Sequence, residues 1–160
     1  MKLFLLAFVL LAFACCGEEP AMPGADYKYC FDPWGFGEIC IEAYAIESSV
    51  TIGIEITFDG TVLLKEEFSG NQYCLNDDAL LKLIELIPEL APFKELIDKL
   101  IKLYDHIPAK VFSVCLELSD VTVTKTEFKA NDEFVYKLVC WEGKCVKEGS
   151  EQLPPIDIKF

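Results

Sequence analysis

The residues best suited to chemistry are a single histidine and eight cysteines, and their spacing decides what each can do. His106 follows Asp105 near the end of a helical segment. As a general base it needs a nucleophile and a third, orienting group around it. No nucleophile elbow or cysteine-nucleophile motif accompanies it, so it reads as a cation-capable residue near a helix C-terminus. One imidazole cannot supply a multi-histidine zinc site, and no two cysteines have C-x-x-C spacing. Asn76, Asp77 and Asp78 lack the full EF-hand ligand spacing and suit helix capping better. Gly35 and Gly37 lack the strand-to-helix context of a phosphate loop. Glu66 and Glu67 are adjacent in a strand, where side chains face opposite ways, so they form no acid/base pair. The sequence therefore predicts no catalytic residue, no cofactor and no metal, and no N-x-S/T site marks an N-glycan.

The cysteines carry a different message. Residues 1–17 combine one lysine, an apolar run and small residues, the pattern of a secretory signal peptide. Cleavage near Cys16 and Gly17 leaves about 143 residues, enough for one domain with a real core. Six cysteines remain: Cys30, Cys40, Cys74, Cys115, Cys140 and Cys145. An even number in an exported chain argues for three disulfides, with fifteen connectivities open. Proximity favours Cys140 with Cys145 across Trp141-Glu142-Gly143-Lys144. The other four are expected as Cys30 with Cys40 and Cys74 with Cys115, the latter bridge stapling both ends of a helical insert.

Charge narrows the partners. The formal net charge is -13, and all 14 basic residues are lysine. Without arginine forks, nucleic-acid binding is not expected. The acidity also opposes anionic membrane surfaces, and no stretch after the leader suits stable membrane insertion. A secreted, extracellular monomer is expected.

These features must be placed by the elements between them. Residues 18–29 read as an acidic leader. Residues 31–38 form an aromatic, glycine-rich loop whose Trp34 and Phe36 either make an exposed contact or fold back as a plug. A three-strand meander follows from Ile39 to Phe68. Val50, Ile52, Ile54, Ile56 and Phe58 alternate with polar residues, and Asp59-Gly60 signals a hairpin. On the return strand, Val62, Leu64 and Phe68 share a face. Ala79 to Ile107 has helical apolar periodicity, broken by Pro88 and Pro92 between Ile87 and Phe93. Three more strands, 111–118, 121–128 and 133–141, are expected, with a turn at Asn131-Asp132. Both registers of the last contain apolar residues, the mark of a central strand. Residues 148–160 read as an extended tail. The expected fold is thus α+β: an antiparallel sheet of about six strands around a two-part amphipathic helical insert, one domain over 30–147.

Cys30, the run Gly37-Glu38-Ile39-Cys40-Ile41, two alternating strands, Phe68-Ser69-Gly70 before Cys74, and the later Cys115 and Cys140 form a recognisable order. This order resembles an insect family of secreted, cysteine-rich proteins of uncharacterised function, over roughly residues 29–146. This chain has a longer helical segment, fewer cysteines at the start and an additional Cys145. The resemblance implies an extracellular arthropod protein of body fluid, saliva or venom, and brings no catalytic residues with it. The expectation is a non-enzymatic binding protein for an extracellular protein or small apolar ligand, or else a venom or salivary effector. Trp34, Phe36, Leu96, Ile97, Leu100 and Ile101 are the candidate apolar contact surface.

Overall fold

A computed structural model describes residues 25–46 and 51–160. The expected signal peptide lies outside the described residues, as does most of the acidic leader. The leader's last residues enter the first strand. Among the described residues the architecture is mostly sheet, an α+β fold with two antiparallel sheets, two α-helices and three disulfides. Nine strands are described where about six were expected.

The first sheet is a meander in the order β1 (Ala25–Phe31), β2 (Ile39–Ile46), β3 (Thr51–Phe58), β4 (Thr61–Glu67). Period-2 alternation turns Ile39, Ile41, Ala43, Ile52, Ile54, Ile56 and Phe58 into the core. Asp59 and Gly60, both at positive φ, make the tight β3–β4 turn. The expected face of β4 is corrected by a bulge: pairing slips between Ile56 and Thr57, so Leu63 and Leu64 are both buried. Val62 is left 44% exposed.

The second sheet runs β5 (Gln72–Cys74), β6 (Ser113–Val123), β7 (Glu127–Trp141), β8 (Lys144–Gln152), with β9 (Ile156–Lys159) on the same side of β7 as β8. The turn expected at Asn131-Asp132 is absent. β7 passes straight through it, and the chain reverses at 124–126, where the Thr124 amide donates to the Glu127 carbonyl (2.9 Å). Asn-Asp is good turn chemistry only where both side chains meet water; here Asp132 alternates inward with Phe128, Ala130 and Phe134. β7 is the central strand, as its two-sided apolar pattern implied. Residues 148–160 close the sheet as the end of β8 and all of β9, not as a free tail.

The inner faces of the two sheets share one core. Phe31 meets Phe134 edge-on at 5.2 Å, and Phe68 meets Phe128 at 5.0 Å. Between β5 and β6 lie α1 (Asp77–Leu86), a 3-10 turn (Pro88–Phe93) and α2 (Lys94–Tyr104). Asn76 Oδ1 accepts the Ala79 amide at 2.8 Å, capping α1 as its sequence suggested. The two prolines fall in the 3-10 turn, where the expected break occurs. Asp77 Oδ1 accepts the Ile107 amide, joining the two ends of the insert. Leu83, Ile84, Leu90, Ile97 and Leu100 pack into the core. Among the described residues no helix is long and apolar enough to cross a membrane.

Each expected disulfide is present, and each joins residues directly opposite across an antiparallel pair: Cys30–Cys40, Cys74–Cys115 and Cys140–Cys145. Their Cα atoms are 4.1, 4.0 and 3.9 Å apart, so they occupy the closely spaced type of cross-strand position. The neighbouring inward positions belong to the core, which places the bridges on the outer faces. Each ties an edge strand, β1, β5 or β8, to its inner neighbour. Edge strands are where sheets fray or recruit other chains, so three edges are covalently held.

Candidate functional site

The candidate apolar surface does not form as one surface. Trp34, Ile97 and Leu100 are buried at 2%, 0% and 7% exposure. Trp34 is a plug: Asp32 Oδ1 accepts the amides of Trp34 and Gly35, folding the loop so that the indole packs on Phe58, Phe134 and Tyr136. Phe36, Leu96 and Ile101 are partly buried against the same core. Phe36 also lies beneath the Lys147 ammonium, 5.9 Å from its ring centre. The large apolar side chains that helix α2 exposes are Leu103 and Tyr104, at 71% and 52%. His106 is exposed, with Nδ1 2.7 Å from the Tyr104 carbonyl oxygen at the helix end, the location its sequence context predicted.

A concave site lies at the far end of β7. Val139 has φ +46, a left-handed conformation that a β-branched side chain rarely adopts. Ser113 still pairs with Lys137, but the Cys140 amide donates to the Val111 carbonyl (2.7 Å), one residue out of register. This bulge turns the end of β7 away from β6 and against the turn that follows α2. Trp141 and Lys144 then close a two-residue hairpin through Glu142 (φ +53) and Gly143 (φ +79). The result is a concavity of about 500 Å³ lined by Lys110, Val111, Lys137, Cys140, Trp141, Glu142, Gly143, Cys145 and Glu148. Trp141 is 50% exposed there. Glu148 Oε2 sits 3.2 Å from Cys145 Sγ.

Among the described residues three carboxylates are buried elsewhere, and none lines that concavity. Glu42 and Glu55 face each other across β2 and β3 on the outer face of the first sheet. Lys28 reaches Glu42 at 3.6 Å and Lys65 reaches Glu55 at 4.0 Å, so a Lys-Glu-Glu-Lys row crosses all four strands. Beside the row, the Tyr44 ring lies over Gly53, where a Cβ would stand 2.4 Å from it. Asp132 is the inward-facing exception. Tyr27 of β1 donates its hydroxyl to Asp132 Oδ2 (3.1 Å) and to the Pro154 carbonyl (2.8 Å), bridging the sheets. Among the described residues Asp132 Oδ1 has no hydrogen-bond partner. Burial pushes this carboxyl up to about 6, against the lowering effect of the Tyr27 hydrogen bond. Burial, and then the charge of Asp132, push the Tyr27 phenol upward in turn.

No family model matches the chain, and no match emerged among curated proteins or solved structures.

Sequence reasoning found the six cysteines and the hairpin dipeptide but not Lys110, Lys137 or Trp141 as neighbours. The available signal was Glu142-Gly143, which predicts a tight turn and so a fixed position for Trp141. Nothing local to residues 110 and 137 shows that a bulge at Val139 joins them.

Proposed function

We propose that the chain is an exported, non-enzymatic binding protein of the extracellular space, held in shape by its disulfides. The observation that carries this reading is the placement of all three bridges on outer sheet faces, each securing an edge strand. Such bridges form and persist in an oxidising compartment. The concavity at Trp141 supports binding over turnover. Its lining offers two ammonium groups, two carboxylates and an aromatic ring, with both sulfurs committed to a disulfide. The apolar residues of α1, the 3-10 turn and α2 join the same buried core as the sheets, and the concavity at Trp141 opens to the surface, which favours a surface ligand or a protein partner over an enclosed apolar one. The insect secreted family remains the proposed kinship.

Native mass spectrometry of the protein from its source fluid tests this. A chain lacking the expected signal peptide, six hydrogens lighter than the reduced form and carrying a partner mass, is expected. An intracellular protein with free thiols, or one that loses a measured hydrolytic activity on His106→Ala, overturns it.

A second reading, a venom or salivary effector acting on membranes, is favoured only by Leu103 and Tyr104 at the exposed end of α2. It requires liposome leakage that Leu103→Glu abolishes.

A further inference from the structure

The concavity beside the β7–β8 hairpin combines four features that have no structural use in common. The left-handed Val139 is a disfavoured conformation in a well-packed strand, and strained residues persist where surrounding structure enforces them, often at ligand sites. The extra residue shifts the in-out alternation beyond Leu138, and Trp141 is left 50% exposed at the end of the strand. The Cys140–Cys145 bridge and the Glu142-Gly143 turn then hold that position on both sides. An aromatic ring on a rigid backbone offers contact area at low conformational cost. Beneath it, Val111 is 4% exposed, and with the disulfide it forms an apolar floor.

The charges are the fourth feature, after the bulge, the rigidly held ring and the apolar floor. Lys110 and Lys137 both line the concavity, and among the described residues neither has a carboxylate oxygen within 4.0 Å. Glu148 is the strand partner of Lys137, yet its carboxylate is turned onto the Cys145 sulfur. Glu142 also lines the hollow, at the hairpin turn, so the formal charges balance; but among the described residues no lysine lies within 4.0 Å of it, and the two unpaired ammonium groups are left to hold an anionic group. A formal charge of -13 on the whole chain repels a polyanion, so the occupant must be small. The volume, about 500 Å³, lies within the range of small-molecule sites.

We propose that this concavity binds a small planar organic anion, its ring against Trp141 and its acid group held by Lys110 and Lys137. The inference deepens the binding reading above and rests on it.

Isothermal titration of the oxidised, exported chain with 1-naphthoate, and with 1-naphthalenemethanol as a neutral analogue, tests the proposal. Saturable one-to-one binding of naphthoate is expected, weaker by about tenfold or more for the alcohol. Trp141→Ala and the double change Lys110→Gln/Lys137→Gln should each weaken naphthoate binding by about tenfold, with thermal unfolding unchanged. Should Trp141→Ala misfold, the lysine double variant decides alone. Absence of saturable binding overturns the proposal, as does equal affinity for the alcohol or for the lysine variant. Those failures beside a partner mass in native spectrometry overturn only the anion site. The same failures with a bare mass overturn the binding reading as well.

Discussion

The two sheets bury acids and close their edges in opposite ways. The first sheet grows by successive hairpins, and its buried Glu42 and Glu55 each have a lysine within 4.0 Å. The second sheet is interrupted by the helical insert, so its edge strand β5 returns over a separation of 41 residues to meet β6. Its buried acid, Asp132, faces inward with a phenol in place of a cation. Glu42 and Glu55 each lie beside an ammonium on the outer face. A carboxylate sealed between sheets is cheaper to keep protonated.

The largest expected effect concerns closure. Removing the Cys74–Cys115 bridge by a double change to alanine should cost on the order of 4 kcal/mol in chemical denaturation. The Cys140–Cys145 bridge should cost only about 2 kcal/mol, because its loop is far shorter. Equal losses would erase the contrast between locally and remotely closed edges.

Next is Asp132. A folded-state value of about 6 against an ordinary value of 3.8 means the folded chain binds this proton more tightly than the unfolded chain. Its contribution is therefore full below the unfolded value, falls as pH rises between the two, and is gone above about 6. The loss amounts to about 2–3 kcal/mol. Unfolding at a series of pH values should show this slope in the parent and not in Asp132→Asn. Parallel profiles would show that Asp132 ionises as easily as an exposed acid.

Tyr27→Phe removes the hydroxyl shared between Asp132 and Pro154 and should cost about 1 kcal/mol, more at pH 7 than at pH 4. Smallest is Lys65→Met. Lys65 is 63% exposed at 4.0 Å from its partner, so less than about 1 kcal/mol should be lost, and less still in high salt. A loss larger than that of Tyr27→Phe would mean that the outer row, not the seam between sheets, holds the more demanding acids.

How much of this was legible depended on whether a feature is local. The alternation around Ile52–Phe58, the Asp59-Gly60 turn, the Asn76 cap and the proline break act within a few residues, and each lies where the sequence predicts it. The cysteine pairs follow partly from proximity and partly from chain order. The misplaced turn at Asn131-Asp132 had the opposite origin. Its dipeptide has turn chemistry, but a 15-residue central strand paired on both sides overrides it. Of the candidate site, the turn that fixes Trp141 was legible, while its neighbours Lys110 and Lys137 were not.

By itself, then, the sequence determined the core alternation of the first sheet, the two-part helical insert, the disulfide framework and the acidic, arginine-free composition, because periodicity, capping and composition act locally or by simple sum. Only the tertiary structure decided that Trp34 plugs the core, that Asp132 is sealed beside Tyr27, and that Trp141 shares a hollow with two lysines. Those outcomes depend on strand register, and single-residue bulges, such as those at Leu63 and Val139, reset register in ways that no residue pattern records.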